Sequence, residues 1–327
     1  MTETSRRQAL TASLGLALTG AALARSTPVR ADQTATAEQV RTRYKTVQID
    51  GLKLFYREAG SLAAPALLLL HGFPTSSHMF RDLIPALADR YHVVAPDYPG
   101  FGYSDFPDRE KFGYSFAAYA DIIDKFTQAI GLRRYALYIQ DYGAPVGLRL
   151  ALRAPERVTA LIVQNGNAYE EGLSDAWAPI KAYWHEPTAA NRDKLRVFLT
   201  LDGTRSQYTT GLSDPQVELV SPDSWMLDWS LLSRSGNIEL QLDLFGDYQT
   251  NVALYPQFQA FFREHRPPTL IVWGKNDPFF TIAGAQAFRR DLPNAELHLL
   301  EAGHFALETN GPEIAAHIRE FMPTTRA

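Results

Sequence analysis

The sequence predicts an α/β fold, a mainly parallel and doubly wound sheet interrupted by a helical insertion. Three observations lead there. From Lys45 onward, short continuous apolar runs alternate with stretches of helical spacing, as strands buried on both faces and their covering helices require. The alternation stops after Asn165 and resumes after Pro267-Pro268. Several apolar runs also end in turns bearing His, Asp and Gly, at the carboxyl ends of strands where open parallel sheets carry their sites.

Lys45–Asp50 and Lys53–Glu58 read as a hairpin around Asp50-Gly51, a two-residue turn signal. Ala66–Leu70 is a fully apolar strand, Met79–Leu87 has helical spacing, and His92–Ala95 is another short strand. Ser115–Ile130 reads as a helix with Ser115 as N-cap and Gly131 as stop. Tyr135–Ile139 is a strand, Ala144–Arg153 a helix and Thr159–Val163 a strand. Between Gly166 and His265 the chain is rich in Trp, Tyr, Asp and Pro, with apolar runs that fit short helices. An interruption of that length reads as an inserted cap, because long structureless loops are uncommon. Thr269–Trp273, Ala283–Arg290, Glu296–Leu300 and Pro312–Phe321 then restore the strand-helix rhythm.

The 327 residues include 32 Lys+Arg, 36 Asp+Glu and no Cys. Disulfides, thiolate metal sites and cysteine nucleophiles are therefore excluded. A net charge of −4 argues against an electrostatic grip on nucleic acid or anionic membrane. The first residues differ from the rest. Ser5-Arg6-Arg7, an uncharged stretch from Ala9 to Ala24, and small residues up to Ala31 have the layout of an export signal, with the arginine pair pointing to the twin-arginine route. The uncharged stretch is too short and too weakly apolar for a stable membrane span. Cleavage after Ala31 would remove four Arg and one Glu and leave the chain at −7. The expected organisation is thus a signal over 1–31, a core over 32–165, a helical cap over 166–264 and a second core part over 265–327. The expected location is periplasmic or secreted, with no stable membrane insertion after cleavage.

Four turns at strand ends carry the chemistry: His71-Gly72-Phe73-Pro74, Gln140-Asp141-Tyr142-Gly143, Gly274-Lys275-Asn276-Asp277-Pro278 and Gly303-His304-Phe305. The second leads straight from a strand into a helix, a tight turn that projects its central side chain, with Gly143 expected to let the backbone bend. Serine hydrolases place Ser in such an elbow; here the position holds Asp141. A carboxylate there attacks carbon and forms an alkyl ester with the enzyme. His304 suits a general base for the water that hydrolyses the ester, and Asp277 suits holding the imidazole in the right tautomer. Backbone N–H groups of Phe73 and Tyr142 are placed to form an oxyanion hole. Each residue also has a purely structural reading. Asp141 could cap a helix, Asp277 could support Pro278 in a loop, and the cap tryptophans suit packing as well as a pocket wall. No histidine spacing suggests a metal site, and no phosphate loop is present, so neither metal nor cofactor is expected.

The segments His71–Ser77, Asp97–Asp105 and Gln140–Gly143, in their order, resemble the epoxide hydrolase and haloalkane dehalogenase branch of the α/β-hydrolase superfamily. The resemblance spans the core from about Tyr44 to Asn165 and from Thr269 to Phe321, and is weaker across the cap. It implies the α/β-hydrolase fold, and the order Asp141, Asp277, His304 is that superfamily's order of nucleophile, acid and histidine. Haloalkane dehalogenases of the branch carry Asn after the His-Gly pair and Trp after the nucleophile to hold the leaving halide; this sequence has Phe73 and Tyr142. Some place the supporting acid after the sixth strand, where this chain has Asn165. Fluoroacetate dehalogenases carry Arg where Tyr142 stands. The His-Gly-Phe-Pro form is the one usual in epoxide hydrolases, which use two cap tyrosines as proton donors to the opening ring. Asp247-Tyr248-Gln249-Thr250-Asn251 resembles the segment bearing the second tyrosine, and Tyr183 is the candidate for the first, ahead of Tyr169 and Tyr208.

The expected function is opening of an epoxide to a diol through an ester on Asp141, with a small apolar organic molecule and water as partners. A dehalogenase using the same nucleophile, and a ligand-binding protein that keeps the fold without turnover, are the alternatives.

Overall fold

The computed structural model describes residues 40–322; the expected export signal lies outside them. Eight strands form one sheet in the order β1-β2-β4-β3-β5-β6-β7-β8. They are β1 (Arg43–Ile49), β2 (Leu52–Ala59), β3 (Ala66–Leu70), β4 (His92–Pro96), β5 (Tyr135–Gln140), β6 (Val158–Gln164), β7 (Thr269–Gly274) and β8 (Glu296–Leu300). The first two form the predicted hairpin, with Ile49 opposite Leu52. Its turn residues Asp50 and Gly51 both take positive φ, 49° and 81°, as the favoured two-residue hairpin turn requires. β2 pairs antiparallel with β4, and every later pair is parallel.

Helices cover both faces: α1 (Leu83–Leu87), α2 (Phe116–Ala129), α3 (Gly143–Arg153), α11 (Ile282–Asp291) and α12 (Ala306–Phe321) belong to the segments flanking the insertion. The strands divide their side chains between two cores by simple alternation. Leu68, Leu70, Leu137, Ile139, Ile271 and Trp273 enter the core that includes α2, α3 and α11. Leu67, Leu69, Ala136, Tyr138, Leu270 and Val272 enter the other, with α1 and α12. A strand with a core on each side must be apolar at every position, which is why these strands read as unbroken runs.

Two helix boundaries differ from the sequence expectation, both at proline. The 79–87 stretch is a single 3-10 turn, Ser77–Phe80, followed by α1. Pro85 has no N–H to bond back one turn, so a helix can start at Leu83 but cannot run through. At the other end α12 starts at Ala306, six residues before Pro312, and passes a kink at Asn310 (φ −121°).

Between β6 and β7 the chain is helical: α4 (Ala178–His185), α5 (Ala189–Lys194), α6 (Leu201–Thr209), α7 (Asp214–Val217), α8 (Pro222–Leu232), α9 (Asn237–Asp247) and α10 (Gln249–His265). The last returns to the core, where Arg149 of α3 donates to Asn251 (2.5 Å) and Thr250 (3.1 Å). The α6 and α8 helices are tied by a buried pair, the Tyr208 hydroxyl donating to Asp228. The pair is seated on the core from two directions. The Tyr208 ring stacks on Phe305 with centroids 4.0 Å apart, and Ser224 of α8 donates to Glu308 (3.1 Å), whose carboxylate also holds Arg81.

Burial pushes the Asp228 carboxyl up to about 7, Tyr208 opposing it only in part. The folded chain therefore keeps a proton that the unfolded chain releases near its ordinary value of about 3.9. Stability from this group is full below about pH 4 and is lost as pH rises toward 7. Asp228→Asn is neutral throughout and should remove that decline. Thermal midpoints of the two proteins are expected to shift in the variant's favour between about pH 5 and pH 8; parallel midpoint curves would refute a protonated Asp228.

Candidate active site

The chain order reverses at β3, whose neighbours β4 and β5 lie on opposite sides. A crevice opens at the carboxyl end of a sheet at such a point, and the turns after β3 and β5 meet there. The turn after β5 holds Asp141 in the left-handed region at φ 48°, a conformation that a residue with a side chain adopts only at some energetic cost. Two backbone bonds fix it: Asp141 N–H donates to Asn165 O (3.2 Å), and Asp141 O accepts from Ala144 N–H (2.9 Å). The conformational strain thus sits on the aspartate itself. Gly143 does not take positive φ; it lets the turn form without a steric clash, as expected from sequence, since a Cβ there would lie 2.1 Å from the Leu70 carbonyl oxygen. Gly72 serves the same purpose on the other side, where a Cβ would lie 2.3 Å from the Cβ of Asp141.

The Asp141 carboxylate is oriented at both oxygens. Oδ1 accepts from Phe73 N–H at 2.6 Å, and the Tyr142 N–H also favours its charged form. Oδ2 faces His304 Nε2 at 3.9 Å. On the other side of the imidazole, Nδ1 lies 2.8 Å from Asp277 Oδ2. Asp277 is held in turn, Oδ1 accepting from Phe279 N–H (2.7 Å) and Phe280 N–H (3.2 Å) and Oδ2 accepting from Asn165 Nδ2 (2.8 Å). With every Asp277 oxygen acting as acceptor, Nδ1 carries a ring proton, and in the neutral ring it is Nε2 that offers the lone pair. The Gln140 amide nitrogen reaches that lone pair at 3.0 Å.

Electrostatics shift both the nucleophile and the base. Burial pushes Asp141 up to about 6, with the charge of His304 and the two N–H groups pulling it back. His304 is drawn down by burial, but the charge and hydrogen bond of Asp277 and the charge of Asp141 outweigh this and leave it raised. His71, after β3, is instead neutral and structural. Burial lowers it to about 3, and its ring is used up between Gly72 O (3.1 Å) and Tyr98 N–H (3.4 Å).

Above Asp141 lies a cavity of about 40 Å³, against the roughly 10–15 Å³ that one water needs. Its core wall includes Phe73, Tyr142 and Phe279, and its outer wall includes Trp177, Ile180 and Phe245. Of the two candidate tyrosines, Tyr248 sits at the α9–α10 junction, its ring 6.1 Å from Tyr142 and 4.6 Å from Trp177. Its hydroxyl is buried without a hydrogen-bond partner, as is that of Tyr142. The Tyr183 hydroxyl accepts from Arg192 (3.3 Å), which also pairs with Glu239 and Asp243, and neither Tyr183 nor Tyr248 lines the cavity. Sequence reasoning missed the supporting amides of Asn165 and Gln140, and Gln207 of α6 in the cavity wall. The position of Asn165 at the end of β6 was the available signal for the first. Among the described residues no group of three or more His, Asp or Glu side chains could hold a metal ion.

Residues 65–311 match the family model described as alpha/beta hydrolase fold. The chain is similar to an uncharacterized hydrolase of Saccharomyces cerevisiae, 45% identical over 281 residues that cover 84% of this chain and 96% of that one. It is 36% identical to a haloalkane dehalogenase of Mycobacterium marinum, over 82% of this chain and 88% of that one. Among solved structures, an epoxide hydrolase from Vigna radiata superimposes with a TM-score of 0.67 over 88% of this chain and 99% of that one, at 23% identity.

Glycine at 72 and 143 is required by contact distances. Gly72→Ala and Gly143→Ala are each expected to shift the Asp141 turn and lower turnover by about 10²-fold or more, measured on any substrate the wild-type protein consumes. Near-wild-type turnover by both would contradict the packing of this turn.

Proposed function

The chain belongs to the α/β-hydrolase fold family, in its epoxide hydrolase and haloalkane dehalogenase branch, and we propose that it opens epoxides to diols through an alkyl ester on Asp141. The observation that carries this reading is the orientation of the Asp141 carboxylate on the cavity wall, one oxygen seated on the Phe73 N–H and the other facing His304 Nε2 at 3.9 Å. Oδ2 attacks a ring carbon, the carbon–oxygen bond of the epoxide breaks, and the ring oxygen takes a proton. A phenol suits that donation; the buried, unpartnered hydroxyl of Tyr142 belongs to the cavity wall, and the Tyr248 ring packs 6.1 Å behind it. His304 Nε2 then removes a proton from a water whose oxygen attacks Cγ of Asp141. The developing charge on Oδ1 rests on the N–H groups of Phe73 and Tyr142. The bond from Cγ to Oδ2 breaks, the diol leaves with Oδ2 and the proton from His304, and the second proton of the water passes from the new carboxyl back to the phenolate, which restores both carboxylate and phenol. Asp277 supports the imidazolium formed on the way.

A second reading, displacement of halide by the same carboxylate, is favoured by the similarity to the Mycobacterium marinum haloalkane dehalogenase. Against it, the two side chains that hold halide in that branch are replaced here by Phe73 and Tyr142.

Replacing His304 by Gln removes the base for the second half-reaction but leaves the nucleophile. Incubated with a panel of epoxides and haloalkanes, His304→Gln should accumulate a mass increase equal to the whole epoxide, located on Asp141. An increase equal to the alkyl group without halogen would support the dehalogenase instead. No adduct with any member, alongside wild-type turnover, would refute the ester mechanism. The rate of adduct formation should rise with pH as Asp141 ionises, with a midpoint above the wild-type value of about 6, because the variant lacks the imidazole charge that lowers it.

A further inference from the structure

The cavity wall is apolar almost throughout. Trp177 donates its ring N–H to the Phe279 carbonyl (3.1 Å) and has nothing left to offer a ligand. Of the lining residues, only Asp141, Tyr142 and Gln207 retain polar atoms free for one. Gln207 is the outlier. It is only 4% exposed, it lies on the cavity wall, and its amide makes no hydrogen bond with any described residue. A polar group in an otherwise apolar pocket usually fixes ligand orientation.

The helix that carries it is firmly seated. The next residue, Tyr208, stacks on Phe305 at 4.0 Å, beside His304, and donates to the buried Asp228. Three residues before Gln207, Thr204 bonds back to Thr200 O (2.8 Å) at the start of the same helix. The amide is therefore presented from a rigid support, the condition under which one hydrogen bond discriminates between substrates.

A carboxamide can donate and accept at once but does not release a proton near neutral pH. It is ill suited to protonating the opening ring, and well suited to a hydroxyl, which also donates and accepts. Resting on the epoxide-opening reading, we propose that Gln207 is a specificity-determining residue that binds a hydroxyl on the substrate, so that hydroxyl-bearing epoxides are the preferred class.

The test compares glycidol with 1,2-epoxybutane, which differ by a hydroxyl in place of a methyl group. Wild-type kcat/KM should favour glycidol by about tenfold or more, the scale of one well-placed hydrogen bond. Gln207→Met keeps the length of the side chain and should bring the ratio of the two values close to one. Gln207→Glu keeps an acceptor for the hydroxyl and should retain a preference for glycidol, an outcome that a purely packing role would not give. A wild-type ratio near one, or a ratio unchanged in Gln207→Met, would overturn the proposal while leaving epoxide opening intact. If neither epoxide is consumed by wild type nor trapped on Asp141 by His304→Gln, the epoxide reading fails and this inference with it.

Discussion

A carboxylate buried beneath an aromatic wall is unstable unless its neighbours are arranged for it, and that requirement organises this molecule. Asp141 is only 7% exposed and sits in a left-handed turn, so both its charge and its backbone need support. The Phe73 N–H supports one oxygen, and the imidazole of His304 balances the charge from the other side. Each support comes from the end of a different strand. The parallel sheet is the part of the fold that brings those ends together, and the glycines at 72 and 143 let the turns approach closely enough to do so.

The imidazole is in turn only as well placed as Asp277, whose two oxygens are committed to Phe279, Phe280, Asn165 and His304. Asn165 shows how a position can change its chemistry and keep a role. It supplies an amide where some members of the branch place an acid, and that amide fixes the acid from the next strand. Gln140 completes the arrangement by reaching Nε2 of His304, a contact that water would share in the proposed ester hydrolysis. Its carbonyl oxygen is buried without a partner.

The core was legible in the sequence because the physics there is local. Leu67–Leu70, Ala136–Ile139 and Leu270–Trp273 have cores on both faces, so their strands appear as uninterrupted apolar runs, and the turns that follow carry the reactive side chains. Helix ends were less legible where proline intervened: at Pro85 a missing N–H permits a start but not a continuation, whereas the helix holding Pro312 begins six residues earlier and passes a kink at Asn310. The insertion was the least legible part. Its helices are short and flanked by aromatic residues that suit packing and pocket walls equally, so the sequence cannot say which face of α4 or α6 meets Asp141. Tyr183, chosen from its neighbours in sequence, has its hydroxyl on Arg192. Gln207, which carries no sequence signal at all, lies in the cavity wall. Orientation in the insertion is decided by distant contacts such as Tyr208 against Phe305, and these are visible only in three dimensions.

The central claim is that an oxygen of Asp141, and not of water, enters the first product. A single turnover in oxygen-18 water, with enzyme in excess over an epoxide substrate, tests it directly. The account predicts a diol free of label after that turnover and one heavy oxygen in the peptide that contains Asp141. A labelled diol with an unlabelled Asp141 would mean that water attacks the substrate itself, and would contradict the role assigned to the carboxylate.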